Sequence, residues 1–351
     1  MVSDYAAAVE SAPGHVLSRK WIRQRLQQLD TETDYVEIVR LSSLYHINDM
    51  QLDWFYTVGT PAAGINPAVN DAVLRNGTGK YITQATKRRD DSVDHMMVWL
   101  EHGPDALATQ KSVEMVNKYH AHFSKDYPTG FDDVEDYIYI LCLNATLVDF
   151  AQKRLGLPGF DDKQRRAVHR MWAGVAESFQ MPDGRPVTSI VPFPESYEAM
   201  EKCVESYQAR PWPVHDPSRA STTEGIERFA KTWFPRPLRP IGRAVVTAFM
   251  PDALLRSHDL EKPSPMVAWL ARSLMKAMLL LNSRILPDPR ESIQDRRRRL
   301  ADDGKAPRSL VDAAVHRRPA KSNSGQPHNS VAAGLCPHMA MMPDSMTSSE
   351  S

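Results

Sequence analysis

The chain has 351 residues, of which 42% are hydrophobic, enough to bury a sizeable core in one large or two small domains. Lys and Arg together equal Asp and Glu at 43 each, so the net charge is zero and no overall field attracts nucleic acid or an anionic membrane. The three cysteines, Cys142, Cys203 and Cys336, are odd in number and lie far apart, which argues against a disulfide framework, excludes a cysteine-rich metal site and fits a reducing compartment.

Helical periodicity is common along the chain and β alternation is scarce, so the sequence predicts an all-α protein. In chain order, we expect helices over residues 21–29, 35–45, 68–76, 82–102, 105–123, 134–155, 161–180, 195–208, 224–255 and 265–286. Prolines punctuate residues 61–67 and 181–194, which predicts loops there, the second with room for a short β-hairpin.

We divide the chain into an N-terminal extension (1–20), a single helical domain (21–290), and a basic helix end with a tail (291–351). From residue 304 onward the tail is rich in Pro, Ser, Asn and Met and lacks periodicity, which predicts disorder. The run of four arginines at 296–299 has acidic neighbours, which favours a solvated helix end over contact with membrane phosphates or nucleic acid.

The sequence shows no signal peptide, since residues 1–14 contain Asp4 and Glu10 and lack a basic-then-apolar order. The most apolar stretch, residues 265–286, is interrupted by Arg272, Lys276 and Arg284, so we interpret it as a core or interfacial helix. We therefore expect an intracellular protein, cytoplasmic or in peripheral contact with a membrane.

The helix around His120 carries the first candidate functional residue. Its apolar face consists of Val113, Val116, His120 and Phe123, at positions i, i+3, i+7 and i+10. Such a histidine is either a core residue bonded to a backbone carbonyl or a neutral imidazole that faces a metal, as a proximal haem ligand does. His122 lies ~200° around the helix, so the two histidines cannot chelate one metal, which argues against a zinc or non-haem iron site.

The preceding helix places Arg88, Ser92 and His95 on one face, at i, i+4 and i+7, with Lys87 and Asp91 on a neighbouring stripe. A charge cluster of this kind is usually a solvated face with local ion pairs. The functional alternative is an arginine that binds a carboxylate or bound oxygen, with a hydroxyl one turn away.

Several short motifs occur in a characteristic order. They are Lys87-Arg88-Arg89-Asp90-Asp91-Ser92, then Asn117-Lys118-Tyr119-His120, then Asp133 before a helix with Tyr137 and Tyr139, then the segments around residues 164–174, 192–200 and 238–242. Taken together, over roughly residues 20–285, this set resembles the oxygenase family that contains rubber oxygenase (latex clearing protein) and the fungal mycophenolic-acid-pathway oxygenase.

The resemblance implies an all-α fold with a globin-like core and a haem b whose iron is bound by His120. It also implies that Arg88 and Ser92 lie beside the haem, and that Arg88, Ser92 and Asp91 are the candidate catalytic residues. The implied substrates are dioxygen and a hydrophobic, isoprenoid or terpenoid molecule, cleaved at a C=C bond or oxygenated in a related way.

Two positions depart from the rubber oxygenase branch. Asp91 stands where that branch has lysine, as in the fungal branch, and Ser92 stands where it has threonine. The glutamate that acts as base in rubber oxygenase has no counterpart, because no Glu lies between His46 and Arg89, and Asp71 is only a weak substitute.

Two other kinds of protein stay open from the sequence. One is a sensor or carrier that binds haem through His120 without turnover. The other is a cofactor-free helical protein that binds lipid or a partner, with His120 buried and inert. Arg88 and Ser92 on one face favour the enzyme, since a carrier does not need both.

Overall fold

The computed structural model describes residues 18–307 and 309–316. Within these residues the only β feature is an isolated antiparallel bridge between Gln180 and Pro186, so the all-α prediction is confirmed. The α-helices of the described residues, numbered in chain order, are α1 (Trp21–Gln28), α2 (Tyr35–Ser43), α3 (Asp49–Ala63), α4 (Pro67–Leu74), α5 (Lys80–Thr83), α6 (Ala85–His102), α7 (Leu107–Phe123), α8 (Val134–Arg154), α9 (Asp162–Ala176), α10 (Tyr197–Gln208), α11 (Asp216–Trp233), α12 (Arg239–Thr247), α13 (Asp252–Ser257), α14 (Pro265–Leu280), α15 (Ile293–Asp302) and α16 (Leu310–Val315).

Helix α3 is the largest departure from the predicted elements, which included no helix between residues 45 and 61. A capping box starts it, because the Asn48 side chain accepts from the Gln51 backbone and the Gln51 side chain accepts from the Asn48 backbone. The helix continues through Pro61, in its last turn, into residues expected to be a loop. The Asn48-x-x-Gln51 pattern was the sequence signal for this helix.

Helices α6 and α7 form an antiparallel hairpin that carries the candidate residues. The helix expected over residues 82–102 is broken at Gln84, whose φ of −142° is not helical, so α6 begins at Ala85. Gly103 ends α6 with a φ of 74°. A Cβ at Gly103 would lie 2.4 Å from Val36 Cγ2, so this close approach to α2 also requires glycine.

Two hydrophobic clusters fill the interior, and α8 contributes to both. One face of α8, with Ile138 and Leu141, packs in the cluster built from α1, α2, α6, α7 and α9. Its other face, with Tyr139 and Leu143, packs in the cluster built from α3, α11, α12 and α14. Asp133 caps the start of α8 by accepting from the Glu135 backbone N–H, as its position before the apolar run predicts.

The sequence predicted disorder from residue 304 onward, but part of this segment is helical. Residues 310–315 form α16, whose Val311 and Val315 are buried in the first cluster. Lys111 of α7 donates to the Val315 carbonyl at 3.3 Å. The prediction failed because one helix of six residues carries too little periodicity to be recognised. The predicted extension and tail otherwise fall on residues 1–17 and 317–351, which lie outside the described residues.

Candidate functional site

The charge cluster at the start of α6 separates into paired and unpaired residues. Lys87 Nζ lies 3.1 Å from Asp91 Oδ1, and Arg89 Nη1 lies 3.1 Å from the buried Asp53 Oδ1 on α3. Arg88, between them, has no carboxylate within 4 Å in the part of the chain that the structure describes. The local ion pairs expected of an ordinary charged face are thus present, but Arg88 takes no part in them.

Arg88 and Ser92 contact each other, as their spacing predicts. Arg88 Nη1 donates to Ser92 Oγ, and the Ser92 hydroxyl donates to the Arg88 carbonyl at 2.9 Å. This arrangement holds the guanidinium along the face of α6 that continues to His95. Asp91 instead directs its carboxylate to Lys87, within the same helix.

His95 lies one turn beyond Ser92 and joins α6 to α7. Its Nδ1 lies 2.7 Å from the hydroxyl of Ser112, which also accepts from Trp99 Nε1 at 2.8 Å. Burial and, to a smaller extent, the nearby charge of Arg88 together lower the pKa of His95 to about 4. The side chain is therefore neutral at physiological pH, and its hydrogen bonds hold the two helices together.

His120 lies near the C-terminal end of α7 against two aromatic rings. Its ring centroid is 5.2 Å from that of Phe131 and 5.4 Å from that of Tyr137. Its Nδ1 is buried and has no hydrogen-bond partner, so His120 is not a core histidine bonded to a backbone carbonyl through that atom. Burial and, to a smaller extent, the charge of Arg88 together lower the pKa of His120 to about 4, so the imidazole is neutral. His122 is exposed, as its position on the helix predicts.

Asn117, the first residue of the motif that ends at His120, has a structural role here. Its side-chain amide donates to the Ser178 carbonyl at 2.9 Å, and its oxygen accepts from the Gln180 backbone N–H at 3.2 Å. These bonds attach α7 to the segment after α9. The motif therefore combines one residue that fixes the helix with one that faces the site.

Arg75 is a site residue that the sequence analysis missed. It follows α4 in the left-handed conformation, with a φ of 49°. Its guanidinium lies 4.2 Å from the ring centroid of Phe123, the last residue of α7. Its Nε is buried without a partner, and no carboxylate of the described chain lies within 4 Å of it. Burial lowers the pKa of Arg75, and the charge of Arg88 lowers it further.

Nothing in the sequence around Arg75 resembles a binding motif. It is an isolated arginine before Asn76-Gly77, a pair that signals a turn. Two neighbouring arginines without carboxylates are an unusual arrangement, since partly buried charges are normally paired. Arg75 and Arg88 therefore provide a place where the carboxylates of a ligand would be stabilised.

The carboxyl groups near the site do not include a clear base. Asp71 is exposed, and its carboxylate lies 3.3 Å from His215 Nε2. Asp136 is buried next to Tyr137 and accepts from Asn66 Nδ2 at 2.9 Å. Burial and the charge of Asp133 raise the pKa of Asp136 to about 7, which makes it the carboxyl in this region best able to exchange a proton at neutral pH.

A metal at this site would have one protein ligand. Among residues 18–307 and 309–316, no three His, Cys, Asp or Glu side chains come together as a metal-binding group. His120 can thus act only with a cofactor that supplies the other ligands of the metal. The buried unpartnered nitrogen, the aromatic contacts and the two uncompensated arginines fit a flat cofactor that carries carboxylates.

Sequence comparison defines the class of protein and then the family. The class is that of the oxygenases, and the model that matches is described as "ER-bound oxygenase mpaB/B'/Rubber oxygenase, catalytic domain". The match spans residues 51–280, well over half of the chain and all of the candidate site, so the chain belongs to this family of oxidoreductases. No individual curated protein matches the chain. None of the helices in the described residues combines the length and apolar character needed to cross a bilayer.

Proposed function

We propose that this protein is a haem-dependent oxygenase in which His120 binds the iron of haem b. The observation that carries the proposal is the neutral imidazole of half-buried His120, whose Nδ1 is itself buried and has no hydrogen-bond partner. A neutral imidazole is the form that binds iron, and proximal haem histidines occupy dry, apolar surroundings. Haem would supply activation of dioxygen, which no side chain of the site can provide.

Five side chains would hold and orient the cofactor. Phe131 and Tyr137 contact the imidazole and fix its ring. Arg75 and Arg88 are the cations available to the carboxylates of haem. Ser92 holds the Arg88 guanidinium by accepting its N–H. In the proposal Arg88 and Ser92 would also be the polar groups that orient dioxygen as a substrate, and a globin-like arrangement of the helices is part of the proposal.

We propose a hydrophobic, isoprenoid or terpenoid substrate, oxidised by cleavage of a C=C bond or by a related oxygenation. The family description, which includes a rubber oxygenase, and the aromatic and aliphatic residues of α7 and α8 around His120 support this class. Asp91 remains a candidate by resemblance alone. The near-neutral pKa of Asp136 makes that carboxyl the second residue to test as a proton carrier.

An absorption spectrum with a pyridine haemochrome assay tests the cofactor. Wild type is expected to show a Soret band with about one haem b per chain, and His120→Ala is expected to lose it. The matched control is His122→Ala, two residues away and exposed, which should keep the band. A colourless wild type after expression with haem supplied would leave the lipid- or partner-binding protein, and an unchanged His120→Ala spectrum would exclude His120 as the ligand.

Turnover separates the oxygenase from the haem carrier. Arg88→Ala is expected to keep most of the haem, since His120 and Arg75 remain, but to lower terpenoid oxidation at least tenfold, because a preorganised donor beside the reacting oxygen is lost. Haem-loaded wild type that consumes no oxygen with any isoprenoid tested would support the carrier.

A further inference from the structure

Helix α14 and the turns after it expose a continuous apolar face. Met266 and Trp269 are 76% and 67% exposed, and Leu270 and Leu274 continue the same face at helical spacing. Ile285, beyond the helix, is 57% exposed. The opposite face is buried in the second hydrophobic cluster, so α14 is fixed in this orientation. Large apolar side chains exposed side by side usually mark an interaction surface.

The charge on this segment has a single sign. Residues 265–286 contain no Asp or Glu and carry Arg272, Lys276 and Arg284. An apolar helix face that contains tryptophan and is flanked by Lys and Arg is the pattern of helices that lie in the membrane interface.

A cleft of about 240 Å³ lies between α14 and the end of α8, next to this face. Its lining includes Trp269 and the cations Arg154, Arg272 and Lys276. None of the three cations has a carboxylate within 4 Å in the described residues. Within one cleft, three positive charges therefore lack a direct ion pair with the described protein.

The two arginines bond backbone carbonyls but keep donors available. Arg154 Nη2 donates to the Met250 carbonyl at 3.4 Å, and Arg272 Nη2 donates to the Ala248 carbonyl at 3.1 Å. A guanidinium has five N–H groups, so most remain free, and Arg272 Nε is buried without a partner. Burial lowers the pKa of Arg154, the nearby charge of Arg272 lowers it further, and the charge of Asp252 acts in the opposite direction.

We propose that the α14 face binds the surface of a bilayer and that the cleft of Arg154, Arg272 and Lys276 binds the phosphate of an anionic phospholipid headgroup. Arginine pairs bind phosphate oxygens strongly, and the tryptophan at the cleft edge suits the boundary between headgroups and acyl chains. A second copy of the chain fits this face less well, because it would bring two sets of uncompensated cations together. The proposal stands independently of the haem.

Co-sedimentation of the full chain with vesicles tests this surface. In 0.1 M NaCl, binding to phosphatidylcholine vesicles with roughly one-third phosphatidylserine is expected to exceed binding to pure phosphatidylcholine vesicles at least tenfold, since each basic residue near an anionic surface contributes about 1 kcal/mol. Wild type that stays in the supernatant with both vesicles would overturn the proposal.

Two variants separate the apolar face from the cleft. Trp269→Ser/Leu270→Ser is expected to lose binding to both vesicles, whereas Arg272→Gln/Lys276→Gln is expected to lose only the preference for phosphatidylserine. The control is Leu107→Ser, which changes a side chain 63% exposed at the start of α7 and should bind as wild type does. An equal loss in the control would overturn the proposal. Circular dichroism melting confirms that each variant is folded.

Two further outcomes would show that the α14 face and its cleft bind something other than a bilayer. Inorganic phosphate at 10 mM is expected to leave vesicle binding nearly unchanged, because the apolar contact remains; full competition would instead identify a soluble phosphate compound as the ligand. A dimer in sedimentation velocity that Trp269→Ser/Leu270→Ser converts to a monomer would identify the face as an interface between two copies.

Discussion

Two regions of this molecule bring arginines together and differ in what balances their charge. In the run at residues 296–299 on α15, every arginine has an acidic partner: Arg296 pairs with Asp49, Arg297 with Asp94, Arg298 with Glu101 and Asp312, and Arg299 with Glu291. Arg75 and Arg88, at the candidate site, have no carboxylate within 4 Å in the described chain.

The comparison shows that a structural arginine is distinguished from a candidate ligand-binding arginine by its acidic partners, more than by the number of charges nearby. The run was predicted to be a solvated helix end, and that is wrong for Arg298, whose side chain is 26% exposed and joins α15 to α6 and α16. Asp295, three residues earlier, lies 3.9 Å away, but the hydrogen-bonded partners Glu101 and Asp312 are 197 and 14 residues away along the chain, so the sequence near Arg298 does not reveal them. Uncompensated charge instead points to a ligand that supplies the counter-ion.

A substitution that breaks the ion pairs of Arg298 should have the largest effect on the free energy of unfolding. Arg298→Leu leaves Glu101, which is 7% exposed, and Asp312 without their cation. Removing one partner of a buried ion pair costs about 3–5 kcal/mol, so we expect the free energy of unfolding to fall by about 3 kcal/mol. Urea denaturation of the purified protein measures it.

The matched control is Arg299→Gln, one residue along, where the arginine is 52% exposed and pairs with Glu291 on the surface. Exposed ion pairs contribute little because solvent screens them, so this variant should unfold at nearly the wild-type urea concentration. Equal stabilities of the two variants would contradict the structural role of Arg298.

The sequence predicted those features of the fold that are encoded locally. Asp132 or Asp133 was expected to cap α8 and Asp161 to cap α9, and Asp133 and Asp161 do so, because a cap and the apolar spacing that follows it lie within a few residues. Helix α3 was missed although its capping box is equally local. Helix α16 was missed because its burial comes entirely from packing on other helices.

For the candidate site, helical spacing placed Arg88 and Ser92 in contact and His120 on a face separate from exposed His122. Spacing could not supply Arg75, which comes from the end of another helix. Nor could it show that Lys87 and Arg89 are paired while Arg88 is not, since the partner of Arg89 lies on α3. Ion pairs between residues far apart in the sequence can be recognised only in the folded structure.

The positive charge of Arg88 also affects how the stability of the protein depends on pH, through the nearby His95. His95 has a pKa of about 4 in the folded protein, lowered by burial and by Arg88, with Asp91 acting in the opposite direction. The unfolded chain has the ordinary value near 6.5 and binds the proton more readily. The contribution of His95 is therefore fully present above pH ~6.5 and is lost as the pH falls towards 4, by at most roughly 3 kcal/mol.

Denaturation at pH 7 and pH 4.5 measures this loss. His95→Gln keeps an oxygen that can accept from the Ser112 hydroxyl and should lose less stability between the two pH values than wild type does. The exposed His122→Gln serves as the control and should follow the wild-type curve. A wild-type curve that is flat from pH 7 to 4.5 would show that His95 takes up its proton in the folded state at an ordinary pH.

The smallest change in the free energy of unfolding is expected for a substitution of Arg75, which has no ion pair within the described chain. In haem-free protein, Arg75→Gln removes a contact with the Phe123 ring, which costs about 0.5–1 kcal/mol, but also removes repulsion from Arg88. The two effects oppose each other, so we expect the free energy of unfolding to change by less than about 0.5 kcal/mol. A loss as large as that of Arg298→Leu would mean that Arg75 is a structural residue.

Haem binding, unlike the free energy of unfolding, should depend strongly on Arg75. A charge-assisted hydrogen bond contributes about 1.5–3 kcal/mol, so Arg75→Gln is expected to weaken haem binding about tenfold or more. Haem dimethyl ester lacks the carboxylates, and wild type and variant should bind it equally. Spectral titration with both compounds thus separates two failures: wild type that binds neither refutes the haem proposal, whereas a variant that binds haem as well as wild type does refutes only the role of Arg75.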